Sequence, residues 1–298
     1  RPVYPTSWAP IGRSVFRPRR IEQLILGEEN GTRLNAEKRG FPAHPLRGKI
    51  SPADCRRFHL DVLCLPGLEL AARLADLQPK QPDAALSLAL LRDWDGRLTP
   101  QTTGGAVYEV FLAQLAQMVL QPRLGQAFLH QVLGLGPHPI LIPITEFQGG
   151  WPATALRLLS NPASGWLPTG PERDILLENC MAATTAVLRQ TLGPTPQAWQ
   201  GGRLHRIPSA HALGQMPLLD RLFNQGPHPL GGDGSTVAQA SYRPNAPYDN
   251  NAIGVSSRHI VAFGAEAAGW AMFAPGQSGQ PGSPHYGDLI APWLTGDY

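Results

Sequence analysis

Leu91-Arg92-Asp93-Trp94-Asp95-Gly96-Arg97-Leu98-Thr99 interrupts the longest helical pattern in the chain, and what lies on either side of it decides the fold class. Upstream, Leu68, Leu70, Ala71, Leu74 and Leu77 recur at helical spacing, and downstream Val107, Val110, Phe111, Leu115 and Met118 do the same. Such spacing gathers apolar side chains on one face, so the stretch from Leu68 to about Gln121 predicts core-facing helices. The interruption is rich in turn residues, and Gly96 tolerates backbone angles that other residues resist. Asp93–Thr99 therefore predicts a connector.

A third helix is predicted from Pro171, which suits a first helical turn. Glu172 and Asp174 lie near its positive end, and Gly193-Pro194 stops it after about 20 residues. A shorter one over Leu156 to Leu159 would end at Asn161-Pro162. Beyond Trp199 the pattern changes. Leu204 to Ile207, Thr236 to Tyr242, His259 to Phe263 and Trp270 to Phe273 are short β-type runs between Gly, Pro, Asn and Ser, and predict strands. The order is an extended opening over 1–50, a helical part over 51–200 and a strand-rich part over 201–298, within one domain. That is α+β rather than the alternation of a doubly wound sheet. Arg1-Pro2-Val3-Tyr4-Pro5 has no initiator methionine, and each proline biases its predecessor toward extended backbone, so the chain is expected to have been cut from a longer one.

Composition narrows the function classes. With 298 residues, 42% hydrophobic and 16% charged, the chain can bury a sizeable core. Its 32 glycines and 31 prolines imply many shaped loops. A formal charge of +3, with basic residues mostly scattered, gives little field to hold a nucleic-acid backbone, so no nucleic acid is expected as a partner. The densest basic run is Arg17-Pro18-Arg19-Arg20. No apolar stretch approaches the ~20 residues of a membrane span. Cys55, Cys64 and Cys180 cannot all pair and show no Cys-x-x-Cys spacing. They read as buried thiols, with one bridge open to an exported protein.

Other constellations are weak. Asp93, Asp95 and Gly96 resemble a calcium loop only faintly, because the twelfth position from Asp93 is Gly104 rather than a bidentate Glu; a capping turn is the simpler reading. Gly231 to Gly234 lacks the Gly-Lys-Ser of a phosphate loop and reads as a tight loop against the core. His205, His211, His228 and His285 fit no zinc spacing and read as structural histidines. No serine sits in Gly-x-Ser-x-Gly. Most of the seven tryptophans should be packing residues with a polar edge.

Five strings carry more information together. They are Leu91-Arg92-Asp93-Trp94-Asp95-Gly96, Leu219-Asp220-Arg221-Leu222-Phe223-Asn224, Gly231-Gly232-Asp233-Gly234-Ser235-Thr236-Val237, the run from Pro275 to Tyr286, and Trp293-Leu294-Thr295-Gly296-Asp297-Tyr298. With Trp8-Ala9-Pro10 and Arg19-Arg20-Ile21-Glu22, in this order, the chain resembles the C-terminal part of the β-chain of the penicillin acylase (penicillin amidase) family of N-terminal nucleophile hydrolases. The resemblance implies part of a four-layer αββα fold and an autoproteolytic cut that exposes a serine. It also implies hydrolysis of an acyl group from an amide such as a β-lactam side chain or an acyl-homoserine lactone. The serine attacks the carbonyl, its own amine is the base, and protein donors hold the oxyanion.

In that family the nucleophilic serine lies well upstream, and the oxyanion asparagine lies in an Asn-Asn pair that would fall just before Arg1. Ser7, Ser14 and Ser51 cannot stand in, because the terminal residue is Arg1. The chain alone is therefore expected to be inactive, with the α-chain and the N-terminal part of the β-chain as its partners. The arginine that supports the oxyanion asparagine matches Arg17, four residues before Ile21. A guanidinium suits that role through its permanent charge and fixed planar donors; the other reading is one member of a solvated basic run. The family's calcium site takes an aspartate from just before Trp-Ala-Pro, where this chain has Thr6 and Ser7. A neutral hydroxyl is a poor ligand for a hard cation, so no cofactor or metal is expected. Family membership also implies a periplasmic or extracellular location. The rival expectation is a catalytically silent binding or scaffold protein that retains the acylase fold.

Overall fold

A computed structural model describes residues 15–27, 50–132, 146–242, 253–263 and 267–298. The opening Arg1 to Pro5, Thr6, Ser7, Trp8-Ala9-Pro10 and Ser14 lie outside the described residues.

The helices are α1 (Phe16–Ile25), α2 (Pro52–His59), α3 (Leu65–Arg73), α4 (Pro82–Arg92), α5 (Thr103–Val132), α6 (Glu146–Ser160), α7 (Pro171–Leu192), α8 (Gly201–Leu204), α9 (Asp220–Phe223) and α10 (Ile290–Thr295). Strands β1 (Arg206–Ser209), β2 (Gln225–Pro229), β3 (Ala240–Ser241), β4 (Ile253–Gly254), β5 (Ser257–Ala262) and β6 (Ala268–Phe273) follow α8 and form three separate antiparallel pairs, β1–β2, β3–β4 and β5–β6. The mixture of helices and strands is α+β. No helix among the described residues is long and apolar enough to cross a membrane.

Helices α4, α5 and α7 carry the centre of the core. Leu88 and Leu91 of α4, Val107, Phe111 and Leu115 of α5, and Leu177, Met181 and Leu188 of α7 are all buried, at the three- and four-residue spacing that aligns one face of a helix. Helix α7 starts at Pro171 and ends before Gly193, whose φ of +125° ends the helical turn. Its polar residues are used too. Glu178 accepts the Lys80 and Gln81 amides at 2.6 and 2.5 Å, supplying to α4 the amino-terminal cap that Gln81 does not provide. Ser87 and Thr185 hydroxyls meet at 2.6 Å, so the buried hydroxyls on facing helices satisfy each other. Helix α5 is broken at Gly125 (φ +73°, ψ 162°), three residues after Pro122.

In the connector Asp93–Thr99 the exposed Asp93, Asp95 and Arg97 alternate with the buried Trp94, Gly96 and Leu98. Trp94 is buried against Tyr108, with ring centroids 5.6 Å apart, and its indole nitrogen donates to the Arg97 carbonyl at 2.9 Å. The Cys64 amide donates to Gly96 O at 2.8 Å and the Leu98 amide to Val62 O at 3.0 Å, stitching the connector to the start of α3.

Several local expectations shift. The opening expected to be extended contains α1, because Pro18 falls in its first turn, where a missing amide hydrogen costs no helical bond, and Phe16, Arg20, Gln23 and Leu24 make a buried face. Leu204 ends a helix, so the strand expected from it begins at Arg206. Thr236 and Val237 are loop, for reasons given below, and only Ala240–Ser241 of that run is strand. Helix α6 reaches back to Glu146, well before Leu156. All three cysteines are free thiols; Cys64 and Cys180 are buried and Cys55 is partly so.

Candidate functional site

The loop Gly231–Val237 is the most heavily bonded irregular segment of the site. Asp233 is buried, and its Oδ1 accepts the backbone amides of Ser235 (2.7 Å) and Thr236 (2.9 Å). Thr236 Oγ1 accepts the Asp233 amide at 2.9 Å and lies 2.9 Å from Ala238 O. This side-chain-to-backbone pairing is why a β-branched run did not become strand: the amides that would enter a ladder are already used. Gly232 fits here because φ is +80° and a Cβ would lie 2.3 Å from Ala238 O. The loop is anchored from outside by Gly232 N to Leu98 O (2.8 Å) and Ala238 N to Asp61 O (2.9 Å).

Helix α1 grips this loop from one side. Arg17 donates through Nε to Thr236 O at 2.8 Å, through Nη1 to Gln239 Oε1 at 3.2 Å and through Nη2 to Gly234 O. Burial lowers its pKa, and the charge of Asp233 opposes that shift. Arg20, almost fully buried, pairs with Asp61 through two hydrogen bonds of 2.9 and 2.8 Å. Arg19 reaches Glu69 of α3 at 2.7 Å. The basic run is therefore not a solvated face: its three guanidiniums lock α1 to three different parts of the chain.

Below the loop lies a set of acidic groups. Cys64 Sγ stands 3.7 Å from Asp233 Oδ2, and Tyr108 and Glu109 of α5 complete the set. Burial pushes the Asp233 carboxyl up, while the Ser235 and Thr236 amides, Cys64 and Arg17 pull it back. Burial, then the Asp233 charge, raises Glu109 well above the carboxylate range, and the same causes raise the Cys64 thiol well above its usual value. Cys64 therefore stays a neutral thiol with no exposed surface, the reverse of what a nucleophile needs.

A small, part-open cleft adjoins the loop, with Leu98, Thr102, Glu109, Leu204, His205 and Tyr242 among its walls. Burial lowers His205 to about 4, so the ring is neutral near pH 7; it lies edge-on to Tyr242 with centroids 4.8 Å apart. Of the other histidines, His211 stacks on Phe223 and His285 Nδ1 lies 2.9 Å from Asp288 Oδ2. Trp94, Trp151, Trp199 and Trp293 are buried, each with its indole nitrogen donating to a carbonyl.

The arrangement holds backbone carbonyls and a guanidinium in register; it does not pair a nucleophile with a base. Arg17, singled out through the family resemblance, is placed by the fold against Thr236, Gln239 and Gly234. The meetings themselves were not legible in the sequence, because nothing in the spacing says that Arg20 reaches Asp61, 41 positions on, that Cys64 lies beside Asp233, 169 positions on, or that Arg17 reaches Thr236, 219 positions on.

Residues 2–298 match the sequence profile of the penicillin amidase family, and the chain belongs to that family. Among curated relatives, it is 30% identical over 256 residues to the acyl-homoserine lactone acylase QuiP of Pseudomonas aeruginosa, covering 78% of this chain and 29% of that protein. It is 31% identical over 245 residues to the penicillin acylase 2 proenzyme of Pseudomonas sp. strain SE83, covering 80% and 29%. The chain thus spans less than a third of the length of these relatives.

Proposed function

We propose that this chain is the C-terminal part of the β-chain of an amidohydrolase with the N-terminal nucleophile fold, completed by an upstream polypeptide that brings the serine and the oxyanion asparagine. The observation that carries this reading is the junction of Arg17, the position matched to the family's supporting arginine, with Gln239 and with Gly234 and Thr236 of the Gly231–Val237 string, which forms one part-buried polar centre. The three strand pairs, each only two strands wide among the described residues, also fit an incomplete sheet system, since such pairs rarely stand alone in water.

In the completed enzyme the serine Oγ attacks the amide carbonyl while its own α-amine takes the hydroxyl proton. The C–N bond then breaks as that proton passes to the leaving amine, and water cleaves the resulting ester. Arg17 acts as a positioning residue, because its fork fixes α1 and the Gly231–Val237 loop at the side the upstream polypeptide must meet. Substrates would be acyl-homoserine lactones, penicillins or related amides, the compounds for which the relatives are named.

Expression of the complete reading frame tests the proposal. A self-cleaved product with a new amino-terminal serine, releasing acid from an N-acyl-homoserine lactone or a penicillin, is expected. A processed but inert protein would instead favour the silent scaffold. A gene product without further polypeptide would remove the basis of the reading.

A further inference from the structure

We infer that the segment from Leu213 to Leu222 is the apolar face on which the upstream polypeptide of the same precursor docks, an inference that rests on the function proposed above. Four large apolar side chains stand out from this short segment: Leu213 is 46% exposed, Met216 55%, Leu218 82% and Leu222 61%. Single exposed apolar residues are ordinary, but four within ten positions make a patch of the kind that marks an interface.

The backbone beneath them is held in shape. Leu218 has φ of +73°, the one positive value at a residue other than glycine among the described residues. A bulky side chain resists that region, and such outliers persist only where surrounding contacts enforce them. Those contacts are present. Asn224 Oδ1 accepts the His211 amide at 2.9 Å and its Nδ2 donates to Gly214 O at 2.9 Å, tying the two ends of the segment together. His211 stacks on Phe223 with centroids 4.8 Å apart, and Tyr286 OH donates to the Phe223 carbonyl. The knuckle thus presents Leu218 outward without gaining any burial for it within the chain. A preformed apolar surface of this kind lowers the ordering cost of association.

Two observations select the occupant. The chain covers under a third of its relatives' length, so in proteins of that size most of the polypeptide lies outside the matched part. The patch also leads straight into β2, which continues through Leu230 into the Arg17-bound loop, and the Leu230 amide donates to His205 O at 3.0 Å. The face and the Arg17-bound loop thus belong to one continuous stretch of chain.

Methionine oxidation in the whole protein reads the patch directly, because Met181 and Met272 are buried within the chain and Met216 is not. Peroxide treatment and peptide mapping should show Met216 oxidised at least about tenfold more slowly than in the same peptide after digestion, as Met181 is. The protection should persist on dilution and be lost in the Leu218→Asp/Leu222→Asp variant. Rapid oxidation of Met216 with the companion present overturns the docking face and leaves the proposed function standing. Protection that disappears on dilution overturns it in favour of a second copy of the chain. A protein that contains no companion polypeptide overturns both.

Discussion

Arg20 and Asp61 meet as a planar fork, Nε to Oδ1 at 2.9 Å and Nη2 to Oδ2 at 2.8 Å, with side-chain exposures of only 2% and 6%. The fork fixes α1 against the α2–α3 link, and the carbonyl of the same Asp61 accepts the Ala238 amide beside the Arg17-bound loop. Two buried charges that satisfy each other cost little net, but either one alone costs a great deal. Arg20→Met or Asp61→Leu should each lose about 3–5 kcal/mol of unfolding free energy, and the double variant much less than their sum. Urea denaturation of the four proteins gives the coupling; strictly additive losses would mean that the fork does not act as a unit.

Gly232 tests the Asp233 loop independently of charge. A methyl group there meets Ala238 O at 2.3 Å at a φ of +80°, whereas at Gly165, with φ +67°, nothing lies within 4 Å. Gly165→Ala should cost only the backbone preference, about 1 kcal/mol. Gly232→Ala adds a clash with backbone that cannot retreat, so about 3 kcal/mol or more is expected. Equal shifts of the thermal midpoint for the two variants would show that the loop yields freely.

His205 should make stability fall in acid. Its folded pKa is lowered to about 4 from 6.5, so between these values the unfolded chain binds a proton that the folded chain refuses. Its contribution is complete above about pH 6.5, is lost as pH falls toward 4, and changes no further below that. At about 1.4 kcal/mol per pKa unit the loss is roughly 3 kcal/mol. The raised carboxyls of Glu109 and Asp233 act in the opposite sense, losing stability as pH rises, so the comparison must be with His205→Gln. The unfolding free energy of the wild type relative to His205→Gln should fall by roughly 3 kcal/mol between pH 6.5 and 4; parallel curves would contradict a neutral buried imidazole.

How much of this was legible follows from what sequence patterns encode. Helix α7 was readable because both its ends are punctuated by residues with specific backbone geometry, Pro171 and Gly193, and α3 and α5 because one apolar face recurs. Strand β2, Gln-Gly-Pro-His-Pro, was not: it has no β-branched residue and two prolines, and it exists because β1 pairs with it through Arg206 and Pro229, Ile207 and His228. Helix α1 was hidden because its buried face includes Arg20 and Gln23, polar residues that become interior only once Asp61 arrives. Family strings located Gly231–Val237 and Arg17 without saying that they touch. Their contact is long-range, and long-range contact leaves no local periodicity to read.

Arg17 is where position should be separable from charge. Its three nitrogens address three acceptors, Thr236 O, Gln239 Oε1 and Gly234 O, along one loop, a span that the point charge of a lysine cannot reproduce. On the function proposed above, Arg17→Lys in the complete protein should lower kcat about tenfold or more with KM little changed, because a shift of about 1 Å in the supporting frame disturbs attack more than binding. Arg17→Ala should lose more and regain part of its kcat when guanidinium is added, since the planar ion restores the fork, while methylammonium should not. A residue that only held the fold together would lower the fraction of titratable active sites and leave the kcat per site unchanged. That result, or rescue by either cation alike, would remove Arg17 from the catalytic frame.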